Sequence, residues 1–369
     1  MPISAPDRTG TWSFKWDRFG PDVLPLWVAD LDYAAPPAVL EALRARCDHG
    51  VLGYTGTPPA FGRALAGWLE RHHAWTIDPA WVVPFPGTMV AAACAARALG
   101  VEGDGALVTP PLYPPLLRTP DLAGRRGLRV PLVDTPTGFV IDWPALETAA
   151  AEARVLWWCS PHNPTGRVWT DEEHDRLEAL ILCHDLWVVS DEIWMDLVLE
   201  PGLRHRPLAL RPALASRTIT LTAPSKTFNL PGLGCAVAII PDPALRRKVL
   251  AAGGGLVPHV TLPGLIGAIA AWDHGDAWRE DLLPVLRRHR DILVPVLNTA
   301  GLRCHAPEAT YLLWSDASAW GPDPMAAALA RGLGPSDGRE FAAPGWLRWN
   351  LGFAEGMLPE VCHRIQASS

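Results

Sequence analysis

The chain has 369 residues, of which 49% are apolar and 19% charged, with a formal net charge of −7. This length predicts two domains, and the composition excludes a disordered chain. The acidic balance argues against a nucleic-acid or anionic-membrane partner, and no apolar run approaches the ~20 residues that span a bilayer. No targeting signal opens the chain and the seven cysteines lack bridge or metal spacing, so we expect a cytoplasmic protein without a metal site.

Residues 1–48 are predicted to form an N-terminal arm and part of a smaller domain. Pro36 and Pro37 open a helix, and apolar residues at helical spacing predict a second helix over residues 61–72. Tyr54 lies in the turn-rich segment between the two helices.

Strands alternate with helices from residue 81 onward, which predicts a large α/β domain over residues 49–265. Its sheet is expected to be mostly parallel and covered by helices on both faces. Thr170 and Glu173 form a capping box before the clearest helix. After about residue 260 a long helix over 279–297 and two short strands predict a smaller α+β domain over residues 266–369. The strand candidates are residues 81–85, 106–109, 128–133, 155–159, 186–190, 218–222, 235–240, 311–314 and 346–351.

Lys226 is the first candidate catalytic residue. Only three of the 32 basic residues are lysines, namely Lys15, Lys226 and Lys248. Arginine stays protonated near neutral pH, whereas a desolvated lysine can lose its proton and form a Schiff base. Lys226 follows the apolar run 218–222, which places it at the carboxyl end of a buried strand, where open α/β sheets bind ligands. We expect Lys15 and Lys248 to be ordinary solvated lysines, which is also the alternative for Lys226.

Three further sequence positions with candidate binding residues follow predicted strands of the same sheet. Gly87 and Thr88 at a helix start suit a phosphate, although ordinary N-capping by Thr88 is the simpler alternative. Asn163 lies in a proline-rich loop after a buried strand. Asp191 follows the apolar run 186–189, where a carboxylate needs a cationic partner. With Lys226, these loci describe a pyridoxal 5′-phosphate site.

The motifs at these loci resemble those of a known family. They are P-G-T at 86–88, S-P-H-N-P-T-G-R at 160–167, S-D-E-I-W-M-D at 190–196 and S-K-T-F-N-L-P-G-L at 225–233. In this order they are similar to fold-type I pyridoxal-phosphate enzymes, which have the aspartate aminotransferase-like fold. L-P-L-W-V-A-D-L-D-Y at 24–33, G-Y-T at 53–55 and L-R-W-N-L-G at 347–352 are most similar to the cystathionine β-lyase/C–S lyase branch, related to class I/II aminotransferases.

The resemblance implies a role for each matching residue. Lys226 would join the cofactor's aldehyde and later move the substrate's α-proton. Asp191 would hold the pyridine nitrogen protonated, and Arg348 would bind the substrate's α-carboxylate. Tyr54 would reach the phosphate of a neighbouring subunit, which implies a homodimer with shared active sites. The remaining residues implied at the cofactor are Gly87, Thr88, Tyr113, Asn163, Trp194 and Ser225, and those implied at an amino-acid substrate are Asn163, Trp27 and Ala29.

Three departures from the family pattern concern the pocket. The run 109–115 is one residue longer than the family's, so either Leu112 or Tyr113 could face the cofactor ring. Trp194 stands where this branch has histidine and aminotransferases have tyrosine, and an indole cannot accept a proton. Gly234 stands where many relatives have an arginine, which weakens the expected grip on the phosphate.

The resulting hypothesis is a pyridoxal-phosphate-dependent C–S β-lyase that converts an S-substituted cysteine to thiol, pyruvate and ammonia. An aminotransferase shares every cofactor contact and is the alternative. A decarboxylating or oxidative enzyme acting on a cysteine S-conjugate in specialised-metabolite biosynthesis also stays open, as does a regulatory protein that binds the cofactor. The sequence names neither the leaving group nor its size.

Overall fold

A seven-stranded sheet forms the centre of the structure, a computed structural model that describes residues 3–367. In the sheet's order the strands are Val82–Phe85, Ala236–Ile239, Thr218–Thr222, Trp187–Asp191, Ala153–Cys159, Gly105–Val108 and Arg126–Arg129. Ala236–Ile239 is antiparallel to both of its neighbours, and all the other pairs are parallel. The predicted mostly parallel sheet is therefore confirmed.

Apolar side chains of this sheet pack on both of its faces. Along Ala153–Cys159, Trp157 and Cys159 join one buried cluster, while Leu156 and Trp158 join another. This alternation follows from the period of two along a strand. The helices that follow and flank these strands are Thr88–Ala98, Pro114–Leu122, Trp143–Ala150, Asp171–Cys183, Pro212–Ala215, Pro224–Thr227, Pro243–Ala252 and Leu262–His274.

The capping box before Asp171–Cys183 is confirmed. Glu173 N donates to Thr170 Oγ1 at 3.1 Å, and Thr170 N donates to Glu173 Oε2 at 2.8 Å. These reciprocal bonds satisfy two backbone donors that the helix itself cannot pair.

A second, antiparallel sheet lies in the last third of the chain. Its strands are Arg303–Cys304, Leu312–Asp316, Trp346–Asn350 and Ser336–Asp337, and the predicted long helix is Asp276–Thr299. The remaining helices are Pro37–His49, Pro59–His73, Pro324–Ala330 and Leu358–Gln366, and Leu24–Pro25 pairs with Leu333–Gly334. The domain limits at residues 48 and 265 stay predictions. Within residues 3–367, no helix combines the length and apolarity needed to cross a membrane.

The strand predicted over residues 128–133 is wrong in its limits. The sheet strand is Arg126–Arg129, and Val133–Thr135 belongs to a separate hairpin with Gly138–Val140. Val130 and Leu132 still donate backbone hydrogen bonds to Val108 and Pro110. Pro110 on the neighbouring chain segment has no N–H to return a hydrogen bond to Val130, so the regular ladder stops there.

Lys15 is buried, contrary to the expectation of a solvated side chain. Its exposed fraction is 0%, and its Nζ lies 2.8 Å from Asp32 Oδ2. Arg8 and Trp16 both donate to Asp32 Oδ1, at 2.9 and 3.0 Å. Since a buried ammonium requires a counter-charge, this carboxylate explains why the lysine can lie inside the protein. The network fixes the N-terminal arm on the segment 24–33.

We expect Asp32→Ala to lower the free energy of unfolding by about 3–5 kcal/mol, because it leaves the Lys15 ammonium buried without its partner. Urea unfolding of the purified proteins measures the change. Lys248→Met, on an exposed helix position, is the matched control and should stay within about 0.5 kcal/mol of the parent. Equal unfolding midpoints for the two variants would contradict this account.

Candidate active site

A cavity of about 670 Å³ lies at the carboxyl ends of the parallel strands. Asp191 ends one strand, the loop after Cys159 brings Asn163, and the short helix Pro224–Thr227 brings Lys226. The cavity is lined by every site residue predicted from the sequence except Tyr54: Trp27, Ala29, Gly87, Thr88, Tyr113, Asn163, Asp191, Trp194, Ser225, Lys226 and Arg348.

Tyr54 does not reach this cavity. Its side chain is fully exposed and lines a separate depression with residues 52–56 and 258–263 of its own chain. An exposed position is what contact with a neighbouring subunit requires, and that role stays a prediction.

Lys226 places its amine at the cavity wall. Its Nζ donates a hydrogen bond to the Ala29 carbonyl at 2.8 Å, and no carboxylate within residues 3–367 lies within 4.0 Å of it. Burial and, secondarily, the positive charge of Arg348 lower the pKa of Lys226 to about 8, while the negative charges of Asp30 and Asp191 oppose this shift. The neutral, nucleophilic fraction of this amine near neutral pH is therefore far larger than that of an ordinary lysine.

Asp191 is a buried carboxyl with few hydrogen bonds from the described residues. It is 4% exposed, and its Oδ1 accepts one backbone hydrogen bond, from Ile193 N at 3.3 Å. Burial raises the pKa of Asp191 to about 7. In the part of the chain that the structure describes, it forms no ion pair. A cationic ligand atom beside it would favour the carboxylate, which suits a protonated pyridine nitrogen.

Arg348 is a buried guanidinium without a carboxylate partner among the described residues. It donates to Asn163 Oδ1 at 3.1 Å, to the Trp27 carbonyl at 3.0 Å and to Ser336 Oγ at 3.2 Å. Its Nε has no hydrogen-bond partner within residues 3–367, and burial lowers the pKa of Arg348 to about 10. The neutral oxygens orient the group but leave its charge uncompensated. The position therefore suits a ligand carboxylate.

An anion would find free donors at the start of helix Thr88–Ala98. Gly87 rather than Thr88 is the N-cap, and it makes no side-chain cap, so ordinary capping by Thr88 is wrong. The hydroxyls of Thr88 and Ser225 form no hydrogen bond within residues 3–367. First-turn N–H groups, two hydroxyls and the positive end of the helix dipole face the same cavity, which fits a phosphate.

Tyr113 lines the cavity, whereas Leu112 is fully buried in the apolar cluster beside the sheet. The alternative that Leu112 faces a ligand is therefore wrong.

Trp194 lies with its ring centre 5.7 Å from Lys226 Nζ and packs edge-on against Tyr311 at 4.8 Å. Its indole N–H has no hydrogen-bond partner in the described chain, so it remains free to donate to a ligand.

Gly234, at the position noted above as departing from the family pattern, also lines the cavity. Its φ is +61°, and a Cβ there would lie 3.3 Å from the Pro86 carbonyl oxygen. The backbone here is left-handed, which glycine adopts without strain. The glycine at position 234 therefore also determines the backbone conformation of this turn, in addition to removing an arginine side chain.

Several residues at the site were not identified from the sequence. Tyr311, which is fully buried, donates to the same Ala29 carbonyl as Lys226, at 3.1 Å, and Ser336 bridges Arg348 to the Trp27 carbonyl. Asp196 accepts from Thr227 Oγ1 at 2.7 Å and so fixes the residue after Lys226. Tyr311 could have been suspected as one of only four tyrosines, but Ser336 lies in no recognisable motif.

The profile of the family described as Aminotransferase class I and II matches residues 21–365. The chain belongs to this family. Its resemblance to fold-type I enzymes is therefore confirmed.

Individual relatives and solved structures show which proteins this chain is similar to. Cystathionine β-lyase PatB of Bacillus subtilis is 36% identical over 98% of both chains. A crystal structure of OvoB superposes with a TM-score of 0.96 at 37% identity, covering 100% of this chain and 99% of that one. Cystalysin from Treponema denticola, whose structure contains pyridoxal 5′-phosphate, has a TM-score of 0.93 at 28% identity and covers 99% and 97%. The aspartate aminotransferase-like fold is thus confirmed.

The neutral fraction of Lys226 should rise as pH passes through about 8, because the pKa of this amine is lowered to that value. In cofactor-free protein, trinitrobenzenesulfonate labelling of Lys226 should therefore increase between about pH 7 and about pH 9 and then level. Peptide mass spectrometry follows the label.

Arg348→Gln should move this midpoint to higher pH, since the positive charge of Arg348 lowers the pKa of Lys226. A labelling rate that is flat across the range, or a midpoint that Arg348→Gln leaves in place, would refute the electrostatic description.

Proposed function

We propose that the chain is a pyridoxal-phosphate-dependent C–S β-lyase that converts an S-substituted cysteine to thiol, pyruvate and ammonia. One observation carries the proposal: the Lys226 amine, with its lowered pKa, shares a cavity with a buried guanidinium and a buried carboxyl that have no ion-pair partners within residues 3–367. The names of PatB and of related C–S lyases support the same reaction class.

The side chains at the site have two kinds of role, binding and proton transfer. Arg348 binds the α-carboxylate with two parallel N–H donors, which orients the substrate's Cα towards Lys226. Asp191 would hold the proton on the pyridine nitrogen, and the Asn163 amide NH₂, which has no hydrogen-bond partner among the described residues, would donate to the ring oxygen. When bound, the cofactor withdraws electrons from Cα and so acidifies its hydrogen.

Lys226 takes the α-proton, because the indole of Trp194 cannot accept one. The electron pair of the C–H bond becomes the Cα–Cβ double bond while the thiolate leaves Cβ with the C–S pair. Water then hydrolyses the released enamine to pyruvate and ammonia. Every bond broken at Cα and Cβ is thus accounted for by one base and one leaving group.

Transamination is the second candidate, because the family match includes aminotransferases and the same cavity would serve both reactions. The two reactions differ in where the proton from Cα is returned. Thiol release without an added keto acid identifies the lyase, whereas turnover that requires a keto acid identifies the aminotransferase.

Lys226→Ala should lower kcat for thiol release by about 100-fold to 10,000-fold, since it removes the base. Borohydride reduction of wild-type holoenzyme should attach the cofactor to Lys226, as peptide mapping will show. Arg348→Lys should instead lower kcat/KM about tenfold or more through loss of the bidentate pair. Full turnover by Lys226→Ala would refute the proposal.

We also propose a homodimer in which Tyr54 binds the phosphate held by the neighbouring subunit. Its exposure and the exposed Val51 and Leu52 beside it support an intersubunit contact. Lys226→Ala and Tyr54→Asp should each be inactive alone. Co-refolded in equal amounts, they should recover about a quarter of wild-type turnover, because half the dimers gain one intact site of two.

The control for this complementation is a mixture of Lys226→Ala and Asp191→Asn. Both residues belong to the same subunit's site, so each site of a hybrid keeps one defect and no recovery is expected. Recovery in this control, or none in the Tyr54 mixture, would contradict the shared site.

A further inference from the structure

A second cavity, of about 500 Å³, lies under the N-terminal arm and adjoins the active-site cavity. We call it the arm cavity, and its walls come from residues 6–14, residues 28–33, Lys226 and residues 229–232. Lys226 and Phe14 line both cavities, so this lysine lies where the two meet. The exposed side chains of Trp12 and Phe14 in its wall show that the arm cavity opens to solvent. Water therefore has a route to Lys226 that does not pass through the active-site cavity.

Asp30 presents a free carboxylate oxygen in the wall of the arm cavity. Its Oδ2 accepts from Arg8 Nη2 at 2.8 Å, whereas its Oδ1 is buried and has no hydrogen-bond partner within residues 3–367. The neighbouring carboxylate of Asp32 is fully used, since it accepts from Arg8, Lys15 and Trp16. A buried carboxylate oxygen beside a polar cavity is normally satisfied by water. Asp30 Oδ1 is thus placed to hold a water in the arm cavity.

Asp30 also acts electrostatically on the groups around the Lys226 amine. Burial lowers the pKa of Lys226 and raises that of Tyr311, and the charge of Asp30 raises both. The other charged groups that face this amine are Arg348 and Asp191. Because no carboxylate of the described residues lies within 4.0 Å of Nζ, Asp30 and the amine interact across a gap that a water can bridge.

A base that takes a substrate's α-proton must lose that proton before the next turnover. When a cofactor and a substrate fill the active-site cavity, they exclude water from that side of Lys226. The arm cavity gives the same side chain a separate contact with solvent, and Asp30 is the carboxylate with a free oxygen along this route.

We propose that Asp30 and the arm cavity form a proton exit for Lys226. After Lys226 has taken the α-proton, one proton passes from Nζ through a water to Asp30 Oδ1 and from there to bulk solvent. The electron pair of the broken N–H bond stays on nitrogen as its lone pair, the carboxyl is protonated only transiently, and nothing is oxidised or reduced. This inference rests on the proposed lyase function, because a lyase must release the α-proton, whereas transamination returns it within the active site.

The first test needs no turnover. In cofactor-free protein, Asp30→Asn should move the midpoint of trinitrobenzenesulfonate labelling at Lys226 to lower pH, because it removes a charge that raises the pKa of this amine. Arg8→Gln breaks the same ion pair but keeps the carboxylate, so it should not lower the midpoint. If Asp30 only anchored the arm, the two variants would have the same midpoint.

The second test uses thiol release by the holoenzyme. Asp30→Asn should lower kcat about tenfold and change KM by less than about twofold, since the relay acts after the substrate has bound. Asp30→Ala should show the same loss, and added formate should restore its kcat, because this small carboxylate can enter the arm cavity and accept the proton.

Asp17→Asn is the matched control for both tests. It makes the same charge change on an exposed residue of the arm that lies outside the walls of both cavities. Its labelling midpoint and kcat should equal those of the wild type, and formate should not affect its turnover.

Two results would overturn the proton exit and leave the lyase proposal intact. One is a wild-type kcat in Asp30→Asn. The other is an equal loss of kcat in Asp30→Ala and Arg8→Gln that formate does not restore, which would assign Asp30 to the anchoring of the arm. Failure of the wild-type holoenzyme to release thiol from any conjugate would overturn both proposals.

Discussion

Two buried opposite charges, Asp191 and Arg348, face one cavity without pairing with each other or with any residue in the described chain. Uncompensated buried charge destabilises a protein by several kcal/mol, so such an arrangement persists only where the fold supports it or a ligand neutralises it. The raised pKa of Asp191 and the lowered pKa of Arg348 are two expressions of the same desolvation. A ligand that carries a protonated ring nitrogen beside a substrate carboxylate relieves both at once.

Carbonyls of the segment 24–33 hold Arg348 and Lys226 in place. Asn229 bonds the backbone of Leu31 and Tyr33, and Asn350 bonds the carbonyl of Asp30 at 2.7 Å. The carbonyl of the preceding residue, Ala29, accepts from both Lys226 and Tyr311. Because side chains from three distant parts of the chain fix one extended segment, its carbonyls are preorganised to orient the reactive amine and the guanidinium. Preorganisation of this kind limits the reorganisation that accompanies catalysis.

The sequence predicted the sheet, the capping box and the residues that line the cavity, because strand ends and short motifs are local patterns. It failed where the outcome depends on distant partners. Lys15 looked like a solvated lysine, since nothing near it in sequence reveals that Asp32 will receive it. Ser336 carries no local signal, because its role arises from pairing with the strand of Arg348. Leu112 and Tyr113 are adjacent in sequence, and only the packing in the folded structure shows that Tyr113, and not Leu112, lines the cavity.

The backbone conformation of Gly234 limits which residues this position can accept. A side chain there must adopt φ near +61°, which costs roughly 1–2 kcal/mol for most residues, and its Cβ would crowd the Pro86 carbonyl. An arginine introduced at this position would therefore carry a penalty before any phosphate contact could form. Such a change would first require the turn itself to be remodelled. The present backbone thus disfavours a cationic side chain here and favours phosphate contacts from other positions.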